Sequence, residues 1–368
     1  MTIGILTFQA SNNYGALLQA YALQESIIKM NKEVEIINYI SPAKQGWYKP
    51  FDFSIKKSLK HNLRQMLKIP NYFYVKNKNK KTQIFKDNTL NISPEKFIGR
   101  SSQFEYYVNK YETIVVGSDQ VWNYVNTSFD KVYLLDLNNS NIKKISYSAS
   151  FGMEMLESSY ESDYKKLLGE FQAISVREKS GKKIINKLLP DKNIEVTLDP
   201  TLLLTKEDWS MRFPVININP ERVPYILVYT IGKDKKLDHI AKFISEEFQL
   251  KIIRIKRDFR DISFSDKNIN PSVEDFMAYI NNANLILTNS FHGVAFSINF
   301  KKDFYVYLKE NNKANTRIEN LLQITNLNHR IINSKDDLSK LDSIDFDIPI
   351  HLLNKERLAS LKYIEKEL

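Results

Sequence analysis

The stretch Leu287-Thr288-Asn289-Ser290-Phe291-His292-Gly293-Val294-Ala295-Phe296 sets a titratable imidazole at a change of structure. An apolar strand, Leu285 to Leu287, runs into a small polar turn, and an apolar helical segment follows. Such strand-to-helix junctions are where open α/β sheets put their ligands. Free backbone N–H groups at a helix start, and the positive end of its dipole, favour an anion. An imidazole beside an anion site suits proton transfer on a phosphate or carboxylate compound. A histidine that only caps or fills a helix start is the alternative reading at this point.

Four further junctions carry polar or small residues just past an apolar strand. The first is Gln9-Ala10-Ser11-Asn12-Asn13-Tyr14-Gly15-Ala16. Ser11, Asn12 and Asn13 are good helix N-caps, and Gly15 lets a ligand approach the backbone. The loop is not a G-x-G-x-x-G, so it does not argue for a dinucleotide. The second is Gly117-Ser118-Asp119-Gln120-Val121-Trp122, where Asp119 is a candidate base or a holder of a sugar hydroxyl. Trp122 could stack on a ring, but large aromatics are mostly buried, which favours the core. The third is the small-residue run Ser146 to Gly152. In the fourth, Ser175-Val176-Arg177-Glu178, the arginine could grip a carboxylate or phosphate bidentately. It could equally pair with Glu178 or Asp199.

The elements that must position these residues alternate along the chain. Strands are expected at Ile3–Phe8, Val34–Tyr39, Ile114–Val116, Lys144–Tyr147, Ala173–Val176 and Ile194–Leu198, with helices at Ala16–Met30 and Glu178–Leu189. A second alternating set begins at Tyr225–Thr230 and continues through Leu237–Phe248, Lys251–Ile255 and Ser272–Asn281 to the Leu285 strand and the Phe291 helix. Repeated βα units mean parallel sheets covered by helices. The expected fold class is therefore α/β, two Rossmann-like domains facing a cleft. Residues 1–205 form the first domain, interrupted by an insert at 41–110. Residues 206–350 form the second, and 351–368 a C-terminal helix. Leu202 to Pro224, with Pro214, Pro220 and Pro224, reads as the linker.

The net charge of +10 is concentrated in the insert, because residues 51–86 hold Lys56, Lys57, Lys60, Arg64, Lys68, Lys76, Lys78, Lys80, Lys81 and Lys86 against Asp52 alone. Ile55, Leu59, Leu63, Met66 and Leu67 share one helical face, the pattern of a basic interfacial helix or of one packed on its own domain. Val75 to Lys81 is Lys/Asn-rich and is expected to be exposed. No nucleic-acid recognition motif accompanies the charge. The chain has no Cys, which excludes disulfides and thiolate metal sites. The five histidines are scattered, so no metal is expected. Neither a signal peptide nor a spanning helix is expected.

The junctions also resemble a known family. Asn12 to Ala16 with Leu18 to Gln24, Gly117 to Asn123, Ser146 to Gly152, Ser175 to Glu178, Leu198-Asp199-Pro200-Thr201 and Ser290-Phe291-His292-Gly293 are similar, in order, to the blocks of the polysaccharide pyruvyl transferases. The resemblance implies a glycosyltransferase-B-like architecture. It implies transfer of pyruvate from phosphoenolpyruvate to a sugar of a cell-surface polysaccharide or its lipid-linked precursor, forming a ketal without a cofactor. On this basis His292 and Asp119 are the expected catalytic pair. Arg177, Ser290, Gly293 and Arg317 are expected at the donor, and Asn12, Asn13, Tyr14, Gly15, Ser118 and Gln120 at the acceptor. One position departs: relatives carry an arginine two residues before the histidine, where this chain has Ser290, and Arg317 is the candidate replacement. Read as an interfacial helix, the basic insert 51–86 is expected to attach a cytoplasmic enzyme to the anionic inner membrane face, which would suit a lipid-linked acceptor. A nucleotide-sugar glycosyltransferase and an inactive saccharide-binding protein are the competing readings.

Overall fold

The computed structural model describes residues 2–44, 69–138, 141–214, 218, 223–232, 234–256, 266–309, 315–334, 337–338 and 343–368. The strands of the first half are β1 (Thr2–Leu6), β2 (Glu33–Ile36), β3 (Tyr39–Ile40), β4 (Phe97–Ile98), β5 (Thr113–Val116), β6 (Lys143–Ala149), β7 (Ala173–Val176) and β8 (Ile194–Val196). Six of them form one sheet in the order β2-β1-β5-β6-β7-β8, and every pairing is parallel. The second half contributes β9 (Tyr225–Tyr229), β10 (Lys251–Ile255), β11 (Lys267–Ile269), β12 (Leu285–Thr288), β13 (Phe304–Tyr307) and β14 (Ile331–Ile332). They form a parallel sheet in the order β11-β10-β9-β12-β13-β14, the doubly wound order. The near-continuous burial of these apolar strands is what helices on both faces of a sheet require.

Strand order reverses between β1 and β5 in the first sheet and between β9 and β12 in the second. Ligand crevices open at such switch points, beyond the carboxyl ends of the strands. The Gln9–Asn13 and Gly117–Gln120 loops leave β1 and β5, and the Asn289–His292 junction leaves β12.

Three helices of the first half matter here: α1 (Tyr14–Ile28), α2 (Ile69–Thr89) and α3 (Lys179–Leu188). Helix α1 is buried almost all round, as its apolar composition on every face requires. It shares one continuous core with the second half's α4 (Val273–Asn282), α5 (Phe291–Asn299) and α6 (Asn315–Ile324). Tyr14 of α1 stacks on Phe276 of α4 at 4.6 Å, and its hydroxyl donates to Pro271 O at 2.9 Å. Finally α7 (Asp347–Glu367) returns to the first half. There Leu198 N donates to Ser360 Oγ at 3.0 Å and the Tyr363 hydroxyl to Ser146 O at 3.0 Å.

Several expectations need correction. The strand expected over Val34–Tyr39 ends at Ile36, because the insert supplies new partners: Ser93 N donates to Ile36 O at 2.8 Å and Phe97 N to Asn38 O at 2.9 Å. The chain then pairs β3 with β4 instead. The linker Leu202–Pro224 contains a helix, Lys206–Arg212, started by a capping box of Thr205 and Asp208 and anchored by the fully buried Trp209. The C-terminal helix begins at Asp347 rather than 351. Val75–Lys81, expected to be exposed, is so at Lys76, Asn77 and Lys80 but half-buried at Val75, Lys78, Asn79 and Lys81, because α2 bridges the halves: Tyr74 donates to Lys256 O at 2.7 Å and Lys81 Nζ to Asn270 O at 2.6 Å. The amphipathic pattern from Ile55 to Leu67 lies outside the described residues. Among the described residues no helix is long and apolar enough to cross a membrane.

Candidate active site

The three junctions open onto one cleft of about 470 Å³ between the halves. Asn12 and Asn13 enter from the first loop, Asp119 and Gln120 from the second, and Ser290, Phe291 and His292 from the third. Arg317 reaches in from α6, Lys44 from the residues after β3, and Lys78 from α2.

Local sequence explains each placement. Asn13 caps α1, accepting from Gly15 N at 2.9 Å and Ala16 N at 3.4 Å, and so fixes the start of the helix. Asn12 is held from α2 by Asn79 and by Thr82 Oγ1, which donates at 2.8 Å. Asp119 has φ +72°, a left-handed conformation that aspartate tolerates better than most residues. Its backbone carbonyl accepts from Ser150 N at 2.9 Å, which turns the side chain toward the cleft rather than along the sheet.

His292 opens α5 and is buried. Its Nε2 lies 3.8 Å from Asp199 Oδ2 and has no hydrogen-bond partner. Burial pulls the imidazole below its ordinary value, Asp199 and Asp119 pull it up, and Arg177 and Arg317 oppose them. The net shift is downward and favours the neutral ring. Burial also pushes the Asp119 carboxyl up, but Arg177, His292, Arg317 and the Gln120 N–H together outweigh it and hold Asp119 below the usual carboxylate range. Lys44 is pulled down to about 8 by burial, partly offset by Asp119, and sits 2.9 Å from the centre of the Phe8 ring. Burial likewise lowers Lys78 to about 8. The cleft is therefore rich in cations set in poorly solvated surroundings, which is what a multiply charged anion needs.

Arg177 and Asp199 form a fully buried ion pair, 2.7 Å apart, behind the cleft. Asp199 is further held by Thr201 N at 2.9 Å and Thr201 Oγ1 at 2.6 Å, and Arg177 also bonds the Ser118 hydroxyl. The Phe291 ring is shared by the two arginines: the Arg177 guanidinium lies 5.0 Å from its centre and that of Arg317 5.9 Å. Arg177 Nε and Nη1 are buried without partners.

Some expected site residues do other work. Tyr14 is buried in the contact between the halves. Gly15 makes room for His292 rather than for a ligand: an added Cβ would lie 2.1 Å from His292 Nδ1. Gly293 faces away from the cleft, where an added Cβ would meet Thr288 Oγ1 at 2.3 Å. Ser118 is fully buried and donates to Ser148 O at 2.9 Å. Trp122 is core, its Nε1 donating to Tyr133 O at 2.9 Å. Ser290 reaches the cleft, as does Gln120, whose amide oxygen, turned toward Arg317, accepts from Nη2 at 2.7 Å.

Four side chains escaped sequence reasoning. Lys44 and Lys78 lie far from any junction and left no local signal. Asp199 stands out in the sequence only as an ion-pair partner of Arg177 and a member of the Leu198–Thr201 block, with no role at the site. Glu178 ties two junctions together, accepting from Ser150 Oγ at 3.0 Å and Phe151 N at 3.1 Å. The appearance of Glu178 beside Arg177, after a run of Ser and Gly, was the available hint.

The fold and the facing junctions define a two-domain transferase of glycosyltransferase-B-like architecture. The chain belongs to the polysaccharide pyruvyl transferase family, whose model matches residues 13–308. No curated protein matches its sequence. Among solved structures, UDP-GlcNAc 2-epimerase from Methanocaldococcus jannaschii is similar with a TM-score of 0.53 at 14% identity, covering 99% of this chain and 100% of that one. A putative UDP-N-acetylglucosamine 2-epimerase from Listeria monocytogenes gives 0.50 at 12%, covering 98% and 90%. At such identities the likeness is one of fold.

Proposed function

We propose that the enzyme transfers pyruvate from phosphoenolpyruvate to two hydroxyls of one sugar in a cell-surface polysaccharide or its lipid-linked precursor. The observation that carries this reading is the convergence of His292, Asp119 and Arg317 on one cation-rich cleft between the halves. Ketal formation needs a proton on the methylene carbon of the donor, positive charge around its phosphate and carboxylate, and an acceptor hydroxyl aimed at C2. A second hydroxyl of the sugar then displaces phosphate, so sugar and donor yield ketal and inorganic phosphate.

His292 is assigned the proton transfer. Burial favours the neutral ring, while Asp199 draws it toward its charged form. An incoming phosphoenolpyruvate adds negative charge on the same side, so the ring gains a proton as the donor binds and passes it to the methylene carbon. Asp119, held ionised, accepts a hydrogen bond from the acceptor hydroxyl and takes its proton as the oxygen bonds to C2, where that hydroxyl becomes strongly acidic. Arg317, Lys44 and Lys78 receive the anionic groups, and Arg317 occupies the role that Ser290 cannot fill. Arg177 acts from its buried pair with Asp199, as a fixed charge. The donor is available in the cytoplasm, and the reading includes contact with the inner membrane face. The exposed Phe73, Lys76, Lys80 and Ile84 of α2 support this contact, and flotation with anionic liposomes tests it.

Thermal unfolding with phosphoenolpyruvate, and in parallel with nucleotide sugars, tests the donor. A ligand at 100 times its Kd stabilises by about 2.7 kcal/mol. A shift with phosphoenolpyruvate that disappears in Arg317→Ala is expected. A shift with a nucleotide sugar alone would overturn the reading in favour of a glycosyltransferase. Saccharide binding without phosphate release would leave only a binding protein.

A further inference from the structure

A second cavity of about 450 Å³ lies beside the cleft, between α2 and the residues that follow β1 and β2. Asn12 and Asn79 line both spaces and hydrogen-bond to each other, so their side chains form the divide between them. The cavity is walled by side-chain amides, Gln9 and Gln83 in addition to that pair, against the apolar surface of Ile92. An amide both donates and accepts, matching a sugar hydroxyl, which does the same. Gln9 is almost fully buried. Its Nε2 donates to Tyr39 O at 2.8 Å, and its Oε1 has no partner. Lys86 and Lys96 both line the cavity, and burial, with a smaller contribution from Lys96 and against the pull of Asp87, lowers the Lys86 ammonium below its ordinary value. Asp87 lines it too, with its Oδ1 accepting from Gln83 Nε2 at 2.7 Å.

We propose that this cavity is a second saccharide subsite. It takes the unit attached to the sugar that receives pyruvate, a second sugar or a glycosyl phosphate group, and the anionic group of that unit, carboxylate or phosphate, sits at Lys86 and Lys96. The inference rests on the reading of the cleft as the place where the acceptor meets its donor. The acceptor is accordingly at least a disaccharide or a glycosyl phosphate, and a neutral monosaccharide lacks half of the contacts.

Binding to the full chain decides the matter. The probes are a glucuronate-containing disaccharide and N-acetylglucosamine 1-phosphate, each beside its neutral counterpart, with inorganic phosphate as a further arm. At least one anionic saccharide is expected to bind about tenfold or more tighter than its neutral counterpart, and which one does so identifies the source of the charge. Lys86→Met with Lys96→Met keeps the aliphatic stems and is expected to abolish the preference while leaving the melting temperature intact. Equal binding of charged and neutral probes, absence of binding by all of them, persistence of the preference in the double variant, or inorganic phosphate binding as tightly as the saccharides would each overturn the proposal. Stabilisation by phosphoenolpyruvate, read in the same samples, reports on the donor separately: its loss beside an intact saccharide preference removes the donor reading and leaves the subsite.

Discussion

The imidazole of His292 rests on the backbone of Gly15, so close that a methyl group there would lie 2.1 Å from Nδ1. The two residues belong to different halves, and the position of the ring is set by the way the halves dock. Helix propensity alone favours Gly15→Ala by about 1 kcal/mol, but the overlap with a buried ring opposes it. Gly15→Ala is expected to displace the imidazole and cut turnover about 100-fold or more, in line with the 10²–10⁴-fold typical of a general acid. An active Gly15→Ala enzyme would show that the ring need not sit where it does.

His292→Ala removes the ring and leaves a small void. Turnover with phosphoenolpyruvate and acceptor should fall by about 10²–10⁴-fold with the far-UV spectrum unchanged. A rate within a few-fold of the parent would take His292 out of the mechanism.

The histidine also ties stability to pH. Burial leads the shift of His292 below its ordinary 6.5, and the unfolded chain then binds more protons than the folded one between the two values. Stability from this group is fully present above about pH 6.5 and is lost as pH falls through the lower, folded value. The melting temperature should drop on acidification below that point, and drop less steeply in His292→Gln. Equal slopes in the two proteins would contradict the assignment.

Arg177 and Arg317 should fail differently. Arg177→Ala strands the buried Asp199 carboxylate, and breaking such a pair typically costs about 3–5 kcal/mol. Arg317 is half-buried, and among the described residues no carboxylate pairs with it. Its replacement by Ala should spare the melting temperature and raise the KM for phosphoenolpyruvate about tenfold or more, the loss of a charged hydrogen bond. Chemical denaturation and donor titration of both variants separate a structural arginine from a binding one.

Gly293→Ala tests the other glycine of the motif. The added carbon meets Thr288 Oγ1 at 2.3 Å, and this hydroxyl already donates to Tyr229 O at 2.6 Å and accepts from Ser290 N at 3.0 Å. Overpacking of this kind costs about 1–3 kcal/mol. A fall in melting temperature with an unchanged donor KM is expected, and a change in KM alone would return Gly293 to the donor site.

The sequence made the architecture legible because strand and helix periodicities alternate cleanly, and because polar junctions mark the carboxyl ends of β1, β5 and β12. It identified His292, Asp119, Asn12 and Arg317 as residues that meet in space. Tyr14, Gly15, Ser118 and Gly293 turn toward other parts of the fold, since a small or aromatic residue beside a functional loop looks the same whether it faces a ligand or another helix. Lys44 and Lys78 were hidden for a different reason. Their effect comes from tertiary burial beside an aromatic ring, which no local pattern encodes. The α2 segment reads as exposed because its lysines and asparagines are polar, yet Tyr74 and Lys81 use their polar groups to bridge the halves.

Helix α7 follows the entire second half in the chain, yet its Ser360 and Tyr363 fasten onto the Leu198 and Ser146 regions of the first. Chains usually acquire structure domain by domain as they leave the ribosome, the earlier one first. Here the earlier half waits: its sheet is synthesised long before the helix that covers it. A premature stop between residues 333 and 346 would release both sheets without this helix and leave the first with a bare apolar flank, a form better suited to recognition by chaperones than to catalysis.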